Sequence, residues 1–132
     1  MARVRVLIAE DDLELLEVVS RVIGNLGIET QEASTGGELL EKLAEHGPFD
    51  AVVTDVSMPW MTGLQVMHSV RTAGNRCPIV VMTALRDAKT TASVAALGND
   101  VVLIHKPFSI AQLKAALRSC LGKVITPKLA HA

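Results

Sequence analysis

The chain has 132 residues and a net charge of -1, with 13 lysines and arginines against 14 aspartates and glutamates. That balance, with no dense basic run, excludes autonomous nucleic-acid binding, which needs a concentrated positive surface. Hydrophobic residues at 49% and charged residues at 20% describe one globular domain, and aromatics at only 2% leave a core of Val, Leu, Ile, Ala and Met.

Val4 to Ala9 reads as a short strand that becomes fully apolar towards its end. From Leu13 the period changes: Leu15, Val19, Val22 and Leu26 fall at helical spacing, Leu16 and Ile23 widen the stripe, and Gly27 predicts the stop. Asp12 is placed to cap that helix by accepting from its free amides. Ile28 to Ala33 is strand-like but polar, which suits a sheet edge. After Ser34-Thr35-Gly36 a helix carrying Leu39, Leu40 and Leu43 runs to Gly47-Pro48. The strand Ala51 to Thr54 delivers Asp55, and Gly63 to Ala73 forms a third helix burying Leu64, Met67 and Val70. A fourth strand, Ile79 to Met82, ends in Thr83.

Asp87 to Leu97 is a weak helix, because Thr90, Thr91 and Ser93 lower its propensity and its apolar side is mostly alanine. Val101 to Ile104 is a fifth strand, followed by His105, Lys106 and Pro107. A last helix begins at the N-cap Ser109 and buries Ile110, Leu113, Leu117 and Leu121 before Gly122, so residues 1–122 form the domain and 123–132 a tail or the start of a linker. His46 and His68 sit in surface-like contexts without partners, and Trp60 is expected to be partly exposed. Cys77 and Cys120 lie far apart, form no metal-ligand cluster and, without a secretory signal, read as reduced thiols of a cytoplasmic chain. The apolar runs are far too short to cross a bilayer.

Five alternating strands and helices, with apolar strands covered on both faces, predict an open parallel α/β sheet of the flavodoxin-like (βα)5 kind, with strand order 2-1-3-4-5. In such sheets ligands bind outside the carboxyl ends of the strands, where the order reverses. Glu10, Asp11 and Asp12 end the first strand, Asp55 ends the third, Thr83 the fourth, and Lys106 follows the fifth. Taken singly these are ordinary: Asp55 reads as a helix cap, Lys106-Pro107 as a solvated turn, Thr83 as a satisfied hydroxyl. Together they gather on one rim. Up to four carboxylates against one lysine require a cation, and an all-oxygen donor set suits Mg²⁺ rather than zinc. With the charge neutralised, Asp55 is a plausible nucleophile toward a phosphoryl donor, Lys106 can pair with one phosphoryl oxygen and Thr83 can bond another.

On Ala9-Glu10-Asp11-Asp12, Asp55-Val56-Ser57-Met58-Pro59 with Gly63, Thr83-Ala84 and Lys106-Pro107-Phe108, the chain resembles the receiver domains of two-component response regulators, over about residues 3–121. The resemblance implies that Asp55 accepts phosphate from a histidine kinase or a histidine phosphotransfer protein. It implies that Glu10 and Asp11 bind Mg²⁺ together with Asp55 and the backbone carbonyl of Ser57, with Asp12 left to helix capping. It also implies that Thr83 and Lys106 hold the phosphoryl group and that a downstream protein or an attached output domain reads the change. Self-phosphorylation and self-dephosphorylation, not turnover, is then the chemistry. One departure stands out: Leu103 occupies the position three before the lysine, where receivers often carry Tyr or Phe. The alternatives are a pseudo-receiver that binds proteins without phosphate, a small Mg²⁺-dependent phosphatase, and a flavin-binding protein. The complete acidic, Asp, Thr and Lys set opposes the first. Ser57 in place of a second acid opposes the phosphatase. The lack of a Ser/Thr/Gly-rich loop after the first strand opposes the flavin reading.

Overall fold

The computed structural model describes residues 3–58 and 61–129, the stretch 123–129 by backbone alone. Five strands, β1 (Arg5–Ala9), β2 (Glu29–Ala33), β3 (Ala51–Asp55), β4 (Ile79–Thr83) and β5 (Val101–His105), alternate with five helices, α1 (Leu13–Gly24), α2 (Gly36–His46), α3 (Gly63–Thr72), α4 (Ala88–Ala95) and α5 (Ile110–Leu129). The strands form one parallel sheet in the order β2-β1-β3-β4-β5. The polar β2 lies at an edge, as its composition requires. Among the described residues no helix is long and apolar enough to cross a membrane.

The side-chain period of two divides each strand between two cores. Val6 and Ile8 of β1, Val53 of β3, and Val80 and Met82 of β4 pack with Leu16, Val19 and Ile23 of α1 and Leu113, Leu117 and Leu121 of α5. Leu7 and Ala9, Val52, and Ile79 and Val81 face the other way, onto Leu39, Leu64, Val66, Met67 and Val94 of α2, α3 and α4. The carboxyl-end rim of the sheet inherits this alternation.

Local capping fixes the helix starts. Asp12 accepts from the amides of Glu14 and Leu15, as its position predicts, and Thr62 and Gln65 form a reciprocal capping box on α3. Ser109 Oγ accepts from Gln112 N at 3.0 Å, while Gln112 Oε1 accepts from Ser109 N, giving α5 the same arrangement. α4 buries only Val94, in keeping with its weak sequence.

Four expectations change, the first at Ile110, which opens α5 54% exposed rather than buried. α1 ends at Gly24, and Gly27, at φ +83°, makes the turn into β2 rather than the cap itself. α5 does not stop at Gly122 but continues to Leu129. Gly122 lies inside the helix, and a glycine in helical conformation costs only about 1 kcal/mol against alanine, too little to end a helix. His68 is not partnerless: its Nε2 lies 3.2 Å from the Ser93 carbonyl and ties α3 to α4. The exposure expected of Trp60, and the place of Pro59, lie outside the described residues. Cys77 and Cys120 are free half-buried thiols, pushed up by burial to about 12 and about 11 respectively, so neither is an activated nucleophile.

Candidate functional site

The ladder runs one residue past the strands. Glu10 N donates to Ala33 O at 3.0 Å and Lys106 N to Thr83 O at 2.7 Å, so both side chains keep the alternation of β1 and β5. Glu10 follows Ile8, Asp55 follows Val53 and Lys106 follows Ile104, all on the side that faces α1 and α5. Period two thus turns three residues from three strands towards one point. Lys106 Nζ donates to Glu10 Oε1 at 2.6 Å and to Asp55 Oδ2 at 2.8 Å. The other Glu10 oxygen accepts from Asp12 N at 3.1 Å, and Asp55 Oδ1 accepts from Ser57 N at 3.1 Å.

Burial makes this cluster costly. Glu10 is fully buried and Asp55 is 7% exposed, while Asp11 beside them is open to solvent. Carboxylate oxygens of Glu10, Asp11 and Asp55 lie within 4.8 Å of one another. Three acids share one lysine. Desolvation pushes the Glu10 carboxyl up to about 7, against the pull of Lys106 and the Asp12 amide and with help from the Asp55 charge. Burial pulls Lys106 down, but its bonds to Asp55 and Glu10 outweigh that and leave it above its ordinary value. The donor set is all oxygen, with one member solvent-facing, and it carries excess negative charge. It fits a hard divalent cation such as Mg²⁺, which keeps several waters and takes few protein ligands.

The burial of Glu10 makes stability depend on pH. Between pH 4.5 and about 7 the folded chain holds a proton on Glu10 that the unfolded chain has released. The Glu10 contribution to stability therefore falls as pH rises through that window and levels off above it. Thermal melts without metal are expected to show this loss, and added Mg²⁺ is expected to reverse it at pH 8 more than at pH 5. Equal Mg²⁺ effects at both pH values would contradict the assignment.

Thr83 is fully buried at the end of β4, and its Oγ1 accepts from Leu85 N at 2.9 Å. Ser57 is exposed on the loop after β3. Asp12 does not enter the acid cluster with its side chain, which caps α1 instead. Leu103 pairs with Val81 on β5, half-buried on the side facing α4, and lines an open groove of about 440 Å³ with Thr91, Val94 and Ala95.

The direct Lys106 bridge between Glu10 and Asp55 was missed in the sequence, where Lys106 stood only as a phosphoryl partner; strand parity is the signal that could have found it. Gly63 was named as part of the motif after Asp55, but its close approach to Asp55 was not foreseen. A Cβ there would lie 2.0 Å from Asp55 O and 2.4 Å from Thr54 Oγ1, so the start of α3 rests directly on the residue that carries the site.

A family model described as the response regulator receiver domain matches residues 6–118. The chain is 36% identical over 120 residues to the response regulator MprA of Mycobacterium sp. (strain KMS), covering 91% of this chain and 51% of that protein. It therefore spans about half the length of the curated relatives it matches. Among solved structures it is similar to the chemotaxis protein CheY4 of Vibrio cholerae, with TM-score 0.81 and 30% identity over 91% of this chain and all of that one. It is also similar to a response regulator receiver protein from Sinorhizobium medicae WSM419, with TM-score 0.80 and 29% identity, covering 91% and 95% of the two chains.

Proposed function

The chain belongs to the response regulator receiver domain family, a signalling module rather than a turnover enzyme, and on that premise we propose that it is a phospho-accepting receiver in a two-component phosphorelay, with Asp55 as acceptor. The observation that carries this reading is the Lys106 bridge, which holds Asp55 and the acidic cluster together at the mouth of the sheet. In the transfer, an Asp55 carboxylate oxygen attacks the phosphorus of a phosphohistidine on a histidine kinase or phosphotransfer protein. An O–P bond forms as the N–P bond breaks, and the freed imidazole takes a proton from solvent.

Glu10, Asp11, Asp55 and the Ser57 backbone carbonyl would hold Mg²⁺, which when bound offsets the charge of the phosphoryl oxygens and of the acids around them. Lys106 loses its Asp55 partner on phosphorylation and is free to pair with a phosphoryl oxygen instead. Thr83, whose Oγ1 already accepts from Leu85, keeps its own hydroxyl hydrogen to donate to a second. That second bond draws on the loop leading into α4, an element held by little burial, and so biases the surface of α4 and β5 between two states. Leu103 lies on that surface and offers neither ring nor hydroxyl, so the response leaves through backbone and aliphatic packing. The partner is a histidine kinase or phosphotransfer protein, in the cytoplasm. Residues 1–122 act as the receiver, with 123–132 a tail or the start of a linker whose first part prolongs α5.

The test is incubation with Mg²⁺ and acetyl phosphate, read by intact mass. One added phosphoryl group is expected, lost on chelation and absent in Asp55→Asn. The same substitution removes one charge from an overcrowded cluster and leaves Lys106 paired with Glu10, so its melting temperature is expected to match or exceed the wild type. A full mass gain in Asp55→Asn would defeat the reading.

A further inference from the structure

We infer that Gly36, on α2, is a positioning residue for the metal-binding mouth, an inference that rests on the phospho-acceptor reading. Gly36 is the buried first residue of its helix, set by the Thr35 cap, whose Oγ1 accepts from Glu38 N at 3.0 Å. A Cβ at Gly36 would lie 1.8 Å from Met61 O, 2.6 Å from Met61 C and 2.9 Å from Met61 Cβ. The contact is therefore backbone against backbone, between two segments far apart in sequence.

Met61 precedes Thr62, the cap of α3, and Gly63, which rests on Asp55 O. At the other end of this loop Ser57 N donates to Asp55 Oδ1, Val56 N donates to Met82 O at 3.1 Å, and Met58 is buried. The loop after Asp55 is thus pinned by the sheet at its start and by α2 near its end. A methyl group at Gly36 forces the Met61 carbonyl away by at least an ångström. α2 cannot yield as easily, because Leu39 on its next turn is fully buried in the core. The displacement passes through Thr62 to Gly63, which rests on Asp55 O and donates to Val56 O, and so reaches the residue at the metal-binding mouth.

Gly37 supplies the internal control. It is the next residue of the same turn, yet a Cβ there meets only Thr35 Oγ1, at 3.8 Å. The experiment compares wild type, Gly36→Ala and Gly37→Ala by Mg²⁺ titration calorimetry, circular dichroism, and acetyl phosphate uptake at rising Mg²⁺. Gly36→Ala is expected to stay folded, to bind Mg²⁺ about tenfold more weakly, and to recover its uptake rate at saturating Mg²⁺. Gly37→Ala is expected to match the wild type in both measures. A wild-type Mg²⁺ affinity in Gly36→Ala overturns the inference alone, as does equal weakening in Gly37→Ala. An unfolded Gly36→Ala also overturns it, by making the glycine a requirement of the fold rather than of the loop. A wild-type chain that neither binds Mg²⁺ nor gains a phosphoryl group overturns both this inference and the acceptor reading.

Discussion

Gly63→Ala is expected to destabilise the chain by about 3 kcal/mol, the upper end for overpacking a filled site, measured by chemical denaturation. The cause is the absence of anything soft to move. The new methyl group meets the Asp55 carbonyl oxygen at 2.0 Å, its carbon at 3.2 Å and Thr54 Oγ1 at 2.4 Å. Asp55 and Thr54 belong to β3, the middle strand of the sheet and fully enclosed, so the start of α3 must retreat instead. Its retreat breaks the bond from Gly63 N to Val56 O, 3.1 Å long, and shifts the loop on which Asp55 depends. Mg²⁺ binding is expected to fall with stability. Gly24→Ala is the contrast: it has no neighbour within 4 Å, and a gain of up to about 1 kcal/mol is expected from helix propensity. Similar stabilities for the two variants would show that the close approach is not real.

The second large effect is expected at Lys106. Lys106→Met removes the cation that, among the described residues, bonds Glu10 and Asp55, and leaves both acids in a poorly solvated pocket. Breaking a buried pair costs about 3–5 kcal/mol. Here about 2 kcal/mol is expected at pH 8, because the lysine side chain is 21% exposed and Glu10 can take up a proton. The loss is expected to shrink as pH falls and the acids protonate, since an uncharged pair has little need of the lysine. Mg²⁺ is expected to restore part of the stability but not the chemistry. Phosphoryl uptake from acetyl phosphate should drop about a hundredfold, the size of effect seen when one preorganised donor is removed from a developing charge. A variant that keeps wild-type uptake would place Lys106 outside the transfer.

The elements of the fold were legible because β1, β3, β4 and β5 are short apolar runs bounded by turn residues, and the helices carry stripes and caps. Strand order followed from right-handed crossovers among about five units, and it puts the polar β2 at an edge. The acids and Asp55 could be gathered on one rim because the carboxyl ends of parallel strands all point the same way. Three things were hidden, each for a physical reason. The length of α5 past Gly122 was unreadable because glycine stops a helix only in the left-handed conformation, which composition does not reveal. The Lys106 bridge depends on side-chain parity carried one residue beyond three separate strands. The approach of Gly36 to Met61 is set by how α2 and the loop after β3 pack, and no local pattern in either segment announces it.

The central claim is that Asp55, held by Lys106 beside Glu10 and Asp11, receives the phosphoryl group. Its most direct test is to phosphorylate the chain with acetyl phosphate and Mg²⁺, reduce with borohydride, and map the peptides. Reductive cleavage of an acyl phosphate on aspartate leaves homoserine. Homoserine at position 55, and nowhere in a chelated control, is the predicted result; homoserine at Asp11 or Asp12, or none in a sample that has gained phosphoryl mass, would contradict the account.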